Sequence, residues 1–132
     1  MVIKKITLVV GARPNFVKAA PLLEALKAHG AFEARLVHTG QHFDAAMSKV
    51  FFEQLGMPEP DVNLDVNQGS PIVQIANAMM ALEEDFMQYP PDLVVVFGDV
   101  NSTLAASVAA NKLNTRLAHV EAGLRSFDRA MP

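Results

Sequence analysis

Asp92-Leu93-Val94-Val95-Val96-Phe97-Gly98-Asp99-Val100-Asn101-Ser102-Thr103 is the stretch that decides the fold. Leu93–Phe97 is apolar without a polar break, which suits a strand covered on both faces, the environment of a parallel sheet between helices. Gly98 stops the run and delivers Asp99 into a turn rich in helix-capping side chains. Asp99 is therefore expected just beyond a strand's carboxyl end, and in open α/β sheets ligands bind along that edge.

Working outward, residues 2–10 are rich in β-branched side chains and end in Gly11, so a first strand is expected there, followed by the loop Ala12-Arg13-Pro14-Asn15. Proline is costly inside a helix, so the next helix either begins near Lys18, with Pro21 in its first turn, or is kinked at Pro21. Its buried stripe is Leu22, Leu23 and Leu26, and Gly30 ends it. A second strand at residues 34–37 leads into the polar loop His38-Thr39-Gly40-Gln41-His42. Residues 45–55 form a helix with Val50, Phe51 and Leu55 inward, and 62–64 a short third strand. Ser70-Pro71 announces a further helix, with Ile72, Ile75, Ala76, Met79, Leu82 and Phe86 recurring at helical spacing and the methionines in the core. Beyond the opening stretch come an alanine-rich helix, Asn101–Lys112, and a strand, Arg116–Val120, in which His119 is expected to be a hydrogen-bonded core residue. Glu121-Ala122-Gly123 and Arg125 follow that strand.

Strands alternating with helices imply right-handed crossovers and a doubly wound parallel sheet, a three-layer α/β/α Rossmann-like domain. At 132 residues with 51% hydrophobic content, residues 1–132 amount to one globular domain with ample core. The formal net charge is −3 and no Lys/Arg block occurs, which argues against nucleic acid and anionic membrane as partners. The amino-terminal apolar run carries no cleavage pattern and is too short to span a bilayer, so a cytoplasmic protein is expected. The absence of cysteine excludes disulfides and thiolate chemistry. Among the four histidines, His38 and His42 are four apart but straddle Thr39-Gly40, so no metal site is expected.

Parallel strands put all their carboxyl ends on one edge. That edge collects Arg13 and Lys18, then Gln41 and His42, then Asp99, Asn101 and Ser102, and finally Glu121 and Arg125. Gly11 is followed by Ala-Arg-Pro, so the dinucleotide signature Gly-x-Gly-x-x-Gly is absent, as is the phosphate loop Gly-x-x-x-x-Gly-Lys-Ser/Thr. A phospho-accepting receiver domain would need an acidic pair where this chain has Arg13. What fits is an anionic small molecule held by Arg13, Lys18 and helix N-termini such as Asn101-Ser102-Thr103, with carboxylates placed for proton transfer.

Four blocks now stand in order: Gly11-Ala12-Arg13-Pro14-x-x-x-Lys18-x-x-Pro21-Leu22, His38-Thr39-Gly40-Gln41-His42, Gly98-Asp99-Val100-Asn101-Ser102-Thr103 and His119-Val120-Glu121-Ala122-Gly123-Leu124-Arg125-Ser126. Together they resemble the UDP-N-acetylglucosamine 2-epimerases, most closely the bacterial non-hydrolysing type. The resemblance implies most of the first of two Rossmann-like domains of a GT-B fold, whose active site lies in the cleft between domains. It implies interconversion of UDP-GlcNAc and UDP-ManNAc without a cofactor, by elimination of UDP to 2-acetamidoglucal and re-addition. It further implies a homodimer serving cell-envelope polysaccharide synthesis.

Carried over position by position, Asp99 and Glu121 match the acid/base carboxylates, and Arg13 and Lys18 match basic residues at the substrate site. Asn101, Ser102 and Arg125 become positioners of substrate. Members of the non-hydrolysing type bind a second UDP-GlcNAc as activator partly through the Thr-Gly-Gln-His loop, which makes Gln41 and His42 allosteric contacts. This chain departs from the common pattern at Ala12 and Asn15, where Thr and Glu are usual, and at Phe43 and Asp44. Alternatives are a hydrolysing epimerase that releases ManNAc and UDP, a non-catalytic nucleotide-sugar-binding module, and half of a GT-B glycosyltransferase.

Overall fold

A computed structural model describes residues 3–40, 53–54, 56, 59–123 and 125–130. In chain order the elements are β1 (Lys4–Val10), α1 (Arg13–His29), β2 (Phe32–His38), β3 (Val62–Asn63), α2 (Pro71–Gln88), β4 (Leu93–Phe97), α3 (Asn101–Lys112) and β5 (Arg116–Val120). The strands form one parallel sheet in the order β3-β2-β1-β4-β5. The doubly wound α/β expectation holds, with β1 at the centre. From β1 the chain winds outward to β2 and β3, then returns across the sheet to β4 and β5. The carboxyl ends of β1 and β4 therefore flank the topological switch point, where a crevice opens.

Alternate residues of the central strands feed two cores. Ile6, Leu8, Val10, Leu36, Val95 and Phe97 meet Phe16, Ala19 and Leu23 of α1 on one face. Val9, Val37, Val94 and Val96 meet Ala78, Leu82 and Phe86 of α2 and the alanines Ala105, Ala106, Ala109 and Ala110 of α3 on the other. The unbroken apolar run of β4 is thus explained, since both of its faces are covered. Each fully buried Leu or Phe in these layers contributes about 1.5–3 kcal/mol.

Helix α1 excludes one of the two expected arrangements. It starts at Arg13, not near Lys18, and runs through Pro21. Pro14 fills the first turn, where the missing N–H costs nothing, and Asn15 reaches back to the amides of Gly11 and Ala12. Pro21 is exposed, and Val17, four residues earlier, lies on the same solvent side, where water can take the carbonyl that loses its partner. The stripe Leu22, Leu23 and Leu26 packs inward as expected.

The Ser70 hydroxyl accepts the Val73 amide, as its position before Pro71 predicts. On α2, Ile75, Met79, Leu82 and Phe86 face the core, but Ile72, in the first turn, is exposed. The methionines divide, with Met79 packed and Met80 and Met87 exposed. The helix expected at residues 45–55 falls outside the described residues apart from the helical Glu53 and Gln54.

A buried ion pair ties α2 to the sheet. Arg35 of β2 donates to both carboxylate oxygens of Asp85, at 3.0 and 2.9 Å, and its guanidinium lies 4.2 Å from the centre of the Tyr89 ring. These hydrogen bonds to Asp85 push the Arg35 pKa above its ordinary value, against the opposing effect of burial. Among the described residues no helix is long and apolar enough to cross a membrane.

Candidate functional site at the switch point

The switch point is assembled from three loops. After β1, the Asn15 side chain accepts the Gly11 and Ala12 amides at 3.1 and 3.3 Å. Its Nδ2 donates across the crevice to the Phe97 carbonyl at 3.2 Å, joining the end of β1 to the end of β4. The Thr103 hydroxyl donates to the same carbonyl at 2.7 Å, so both lone pairs of Phe97 O are taken. Gly98 then adopts φ +67°, a left-handed conformation that favours glycine. Its amide bonds Val120 O at 2.9 Å, and its carbonyl meets His119 Nε2 at 2.6 Å. A carbonyl only accepts, so Nε2 carries the proton.

Above this frame Lys18 of α1 and Glu121, just past β5, form an ion pair through Nζ and Oε2. A side chain at Gly98 would begin 3.9 Å from Asn15 Nδ2, 3.9 Å from Glu121 Oε2 and 4.0 Å from Lys18 Nζ. The bare glycine thus leaves space ringed by an amide, a carboxylate and an ammonium. Glu121 holds φ +67° although it carries a side chain, a conformation that costs about 1–3 kcal/mol and that clusters at functional sites. The pair itself is about a third exposed, where an ion pair is worth about 0–1 kcal/mol, too little to explain the strain.

Beside the pair opens a cleft of about 710 Å³ between α3 and residues 121–122 and 125–129. Asp99, His119, Glu121, Arg125, Phe127 and Arg129 line it. Asp99 is exposed at its mouth. Arg125 donates to Ala122 O at 2.7 Å, and Phe127 is 96% exposed. The N-termini of α1 and α3 both open on this edge and add their partial positive charge.

Of the residues expected at the site, Lys18 and Glu121 meet directly, and Asp99 and Arg125 share the cleft with Glu121. Arg13 opens α1, but its side chain lies outside the described parts of the structure, as do Gln41 and His42 entirely. Asn101 is half-buried and lines, with Ser102, a separate space of only about 10 Å³. Ser102 is buried, its hydroxyl 2.6 Å from that of Thr39. His119 corrects its expected core role: it is exposed and faces the cleft because β5 is the last strand of the described sheet. Asn15, Thr103 and His119 organise the site through their hydrogen bonds, a role that the sequence did not assign to them. Among the described residues no three His, Asp or Glu side chains gather as a metal set.

Comparison with known proteins bears on the family and the fold. A family model described as UDP-N-acetylglucosamine 2-epimerase matches residues 24–132. A Methanococcus maripaludis UDP-N-acetylglucosamine 2-epimerase homolog is 49% identical over 97% of this chain and 35% of its own length. The Pseudomonas aeruginosa UDP-2,3-diacetamido-2,3-dideoxy-D-glucuronate 2-epimerase is 47% identical over 97% of this chain and 36% of its own. The crystal structure of Methanocaldococcus jannaschii UDP-GlcNAc 2-epimerase in complex with UDP-GlcNAc and UDP superposes with a TM-score of 0.90 at 41% identity, over 97% of this chain and 35% of that one. The chain therefore spans about a third of the length of the relatives it matches.

Proposed function

The chain belongs to the UDP-N-acetylglucosamine 2-epimerase family, and from that footing we propose that it forms one wall of the active site of an enzyme interconverting UDP-GlcNAc and UDP-ManNAc. The observation that carries the reading is the Lys18–Glu121 pair beside Asp99 at the switch point. As the anomeric C–O bond breaks, the neighbouring C2 gains cationic character and its hydrogen becomes removable by a carboxylate. Asp99 and Glu121 serve as the acid/base pair. The departing diphosphate needs positive charge, which Lys18, Arg13 and the helix N-termini supply. Protonation of 2-acetamidoglucal on the opposite face of C2 regenerates the oxocarbenium-like centre at C1, to which the UDP oxygen re-adds.

Arg125 and Asn101 orient the substrate, while Ser102, buried against Thr39, supports the loop crossing beneath it. Gln41 and His42 are assigned to a regulatory nucleotide-sugar contact. No cofactor takes part. The greater length of the relatives supports a second wall from the rest of the protein, which works as a cytoplasmic homodimer in cell-envelope polysaccharide synthesis.

A second reading changes only the sugar. The Pseudomonas 2,3-diacetamido glucuronate enzyme, at 47% identity, stands between the Methanococcus UDP-GlcNAc 2-epimerase homolog at 49% and the Methanocaldococcus UDP-GlcNAc enzyme at 41%, so a UDP-linked 2,3-diacetamido uronic acid is carried as an alternative substrate. The test is incubation of the full-length protein with each nucleotide sugar in deuterated water. The expected result is deuterium at C2 of both epimers of the true substrate. Absence of deuterium and of released UDP with both sugars would sink the epimerase reading, and free ManNAc plus UDP would select the hydrolysing branch.

A further inference from the structure

We propose that Asn15 is a positioning residue of the site, setting the separation of Lys18, Glu121 and Asp99 without touching substrate. The inference rests on the functional reading above for its kinetic arm only. Asn15 is 2% exposed, and both ends of its amide are committed. Oδ1 takes two amides of the loop after β1, and Nδ2 donates to Phe97 O, the last acceptor of β4 before the Gly98 turn. Only one amide orientation satisfies these partners, because two donors face one end and a carbonyl faces the other.

The consequences run in two directions. Lys18 lies three residues further along α1, on the same side of the helix as Asn15, so the tether that fixes Asn15 also fixes the base of the Lys18 side chain. On the other side, Phe97 O is the hinge from which Gly98 and Asp99 depart, and Gly98 in turn holds Val120 and His119, the two residues before Glu121. Asn15 thus holds both partners of the ion pair, one through its own helix and the other through the Gly98 turn. The isosteric aspartate in its place would keep the two accepted amides, lose the donor to Phe97 O and press an anion against that carbonyl, near the Lys18 ammonium.

The test uses Asn15→Asp and Asn15→Ala in the full-length protein. Crystal structures of wild type and variants read the geometry whichever sugar is the substrate: the Lys18–Glu121 contact is expected to open in Asn15→Asp and the Gly98 turn to shift by about 0.5–1 Å, a displacement of the size that costs about 100-fold in rate. With a nucleotide sugar turned over by the wild type, kcat is expected to fall about 10- to 100-fold in both variants with KM within about threefold. Relative to wild type at the same pH, added acid should restore part of the Asn15→Asp loss, because the protonated acid regains a donor, and should leave the ratio of Asn15→Ala to wild type unchanged. An intact pair and an unmoved turn in Asn15→Asp overturn the proposal, as does a raised KM with unchanged kcat, which would make Asn15 a substrate contact. Wild type inactive on both sugars refutes the functional reading alone, and the structures still decide the role of Asn15.

Discussion

Glu121 offers the sharpest test, because its backbone and its carboxylate predict opposite responses to one substitution. Its φ of +67° puts a side chain where glycine belongs, at a cost of about 1–2 kcal/mol. Glu121→Gly removes that cost and gives the unfolded chain about 0.4–1 kcal/mol of extra freedom. Glu121→Ala keeps the strain. Both variants lose the Lys18 pair equally, at about 0–1 kcal/mol for groups this exposed. The difference between them is thus roughly 0–1.5 kcal/mol in favour of glycine. At an ordinary helical position the order is reversed, with glycine about 1 kcal/mol worse than alanine. Urea unfolding reads the sign, since a gap of about 1 kcal/mol moves the midpoint by about 0.3–1 M. Turnover should fall about 10²- to 10⁴-fold in both, through loss of the carboxylate. A Glu121→Ala protein more stable than Glu121→Gly would refute the strain, and full activity in either would refute the role assigned to the carboxylate.

Asp85→Ala should cost about 3–5 kcal/mol in thermal unfolding, because it strands Arg35 in a largely buried position, and the double replacement Arg35→Met with Asp85→Leu should recover much of that loss. Asp99→Asn should lower turnover about 10²- to 10⁴-fold while calorimetry shows stability changed by less than about 0.5 kcal/mol, since the side chain is exposed. Gly98→Ala should destabilise the fold by about 1–2 kcal/mol through its φ of +67°, and binding assays should show weaker affinity for nucleotide sugar because a methyl enters the ring of Asn15, Lys18 and Glu121.

The parts of the fold that were legible in the chain are those dictated by local physics. Leu93–Phe97 could only be a doubly covered strand, and Ser70-Pro71 could only open a helix. The start of α1 was obscured because Pro14 and Pro21 compete for the same first-turn role, and only the Asn15 bonds to Gly11 and Ala12 reveal which one has it. His119 was misjudged because a strand's own sequence does not say whether it lies at the centre or the margin of a sheet. The meeting of Lys18 with Glu121 needed strand order, since alternation places both at one edge but not beside each other. Arg35–Asp85 left a signal: Asp85 follows Ala78 and Leu82 on the buried face of α2, where a carboxylate demands a partner. That partner, on β2, lies 50 residues away in the chain.

A methyl placed on Gly11 would sit 1.9 Å from Ser102 Oγ and 2.7 Å from Thr39 Oγ1, so two loops and the first turn of α3 converge at one crowded point. Positions 11, 39 and 102 therefore behave as one unit of variation. Drift through single substitutions is blocked at position 11 for as long as Ser102 and Thr39 keep their size, and any path away from glycine must first shrink a neighbour. A library randomising the three together should return folded members whose side-chain volumes sum to nearly the same total, with a larger residue at 11 always matched by a smaller one across the crossing.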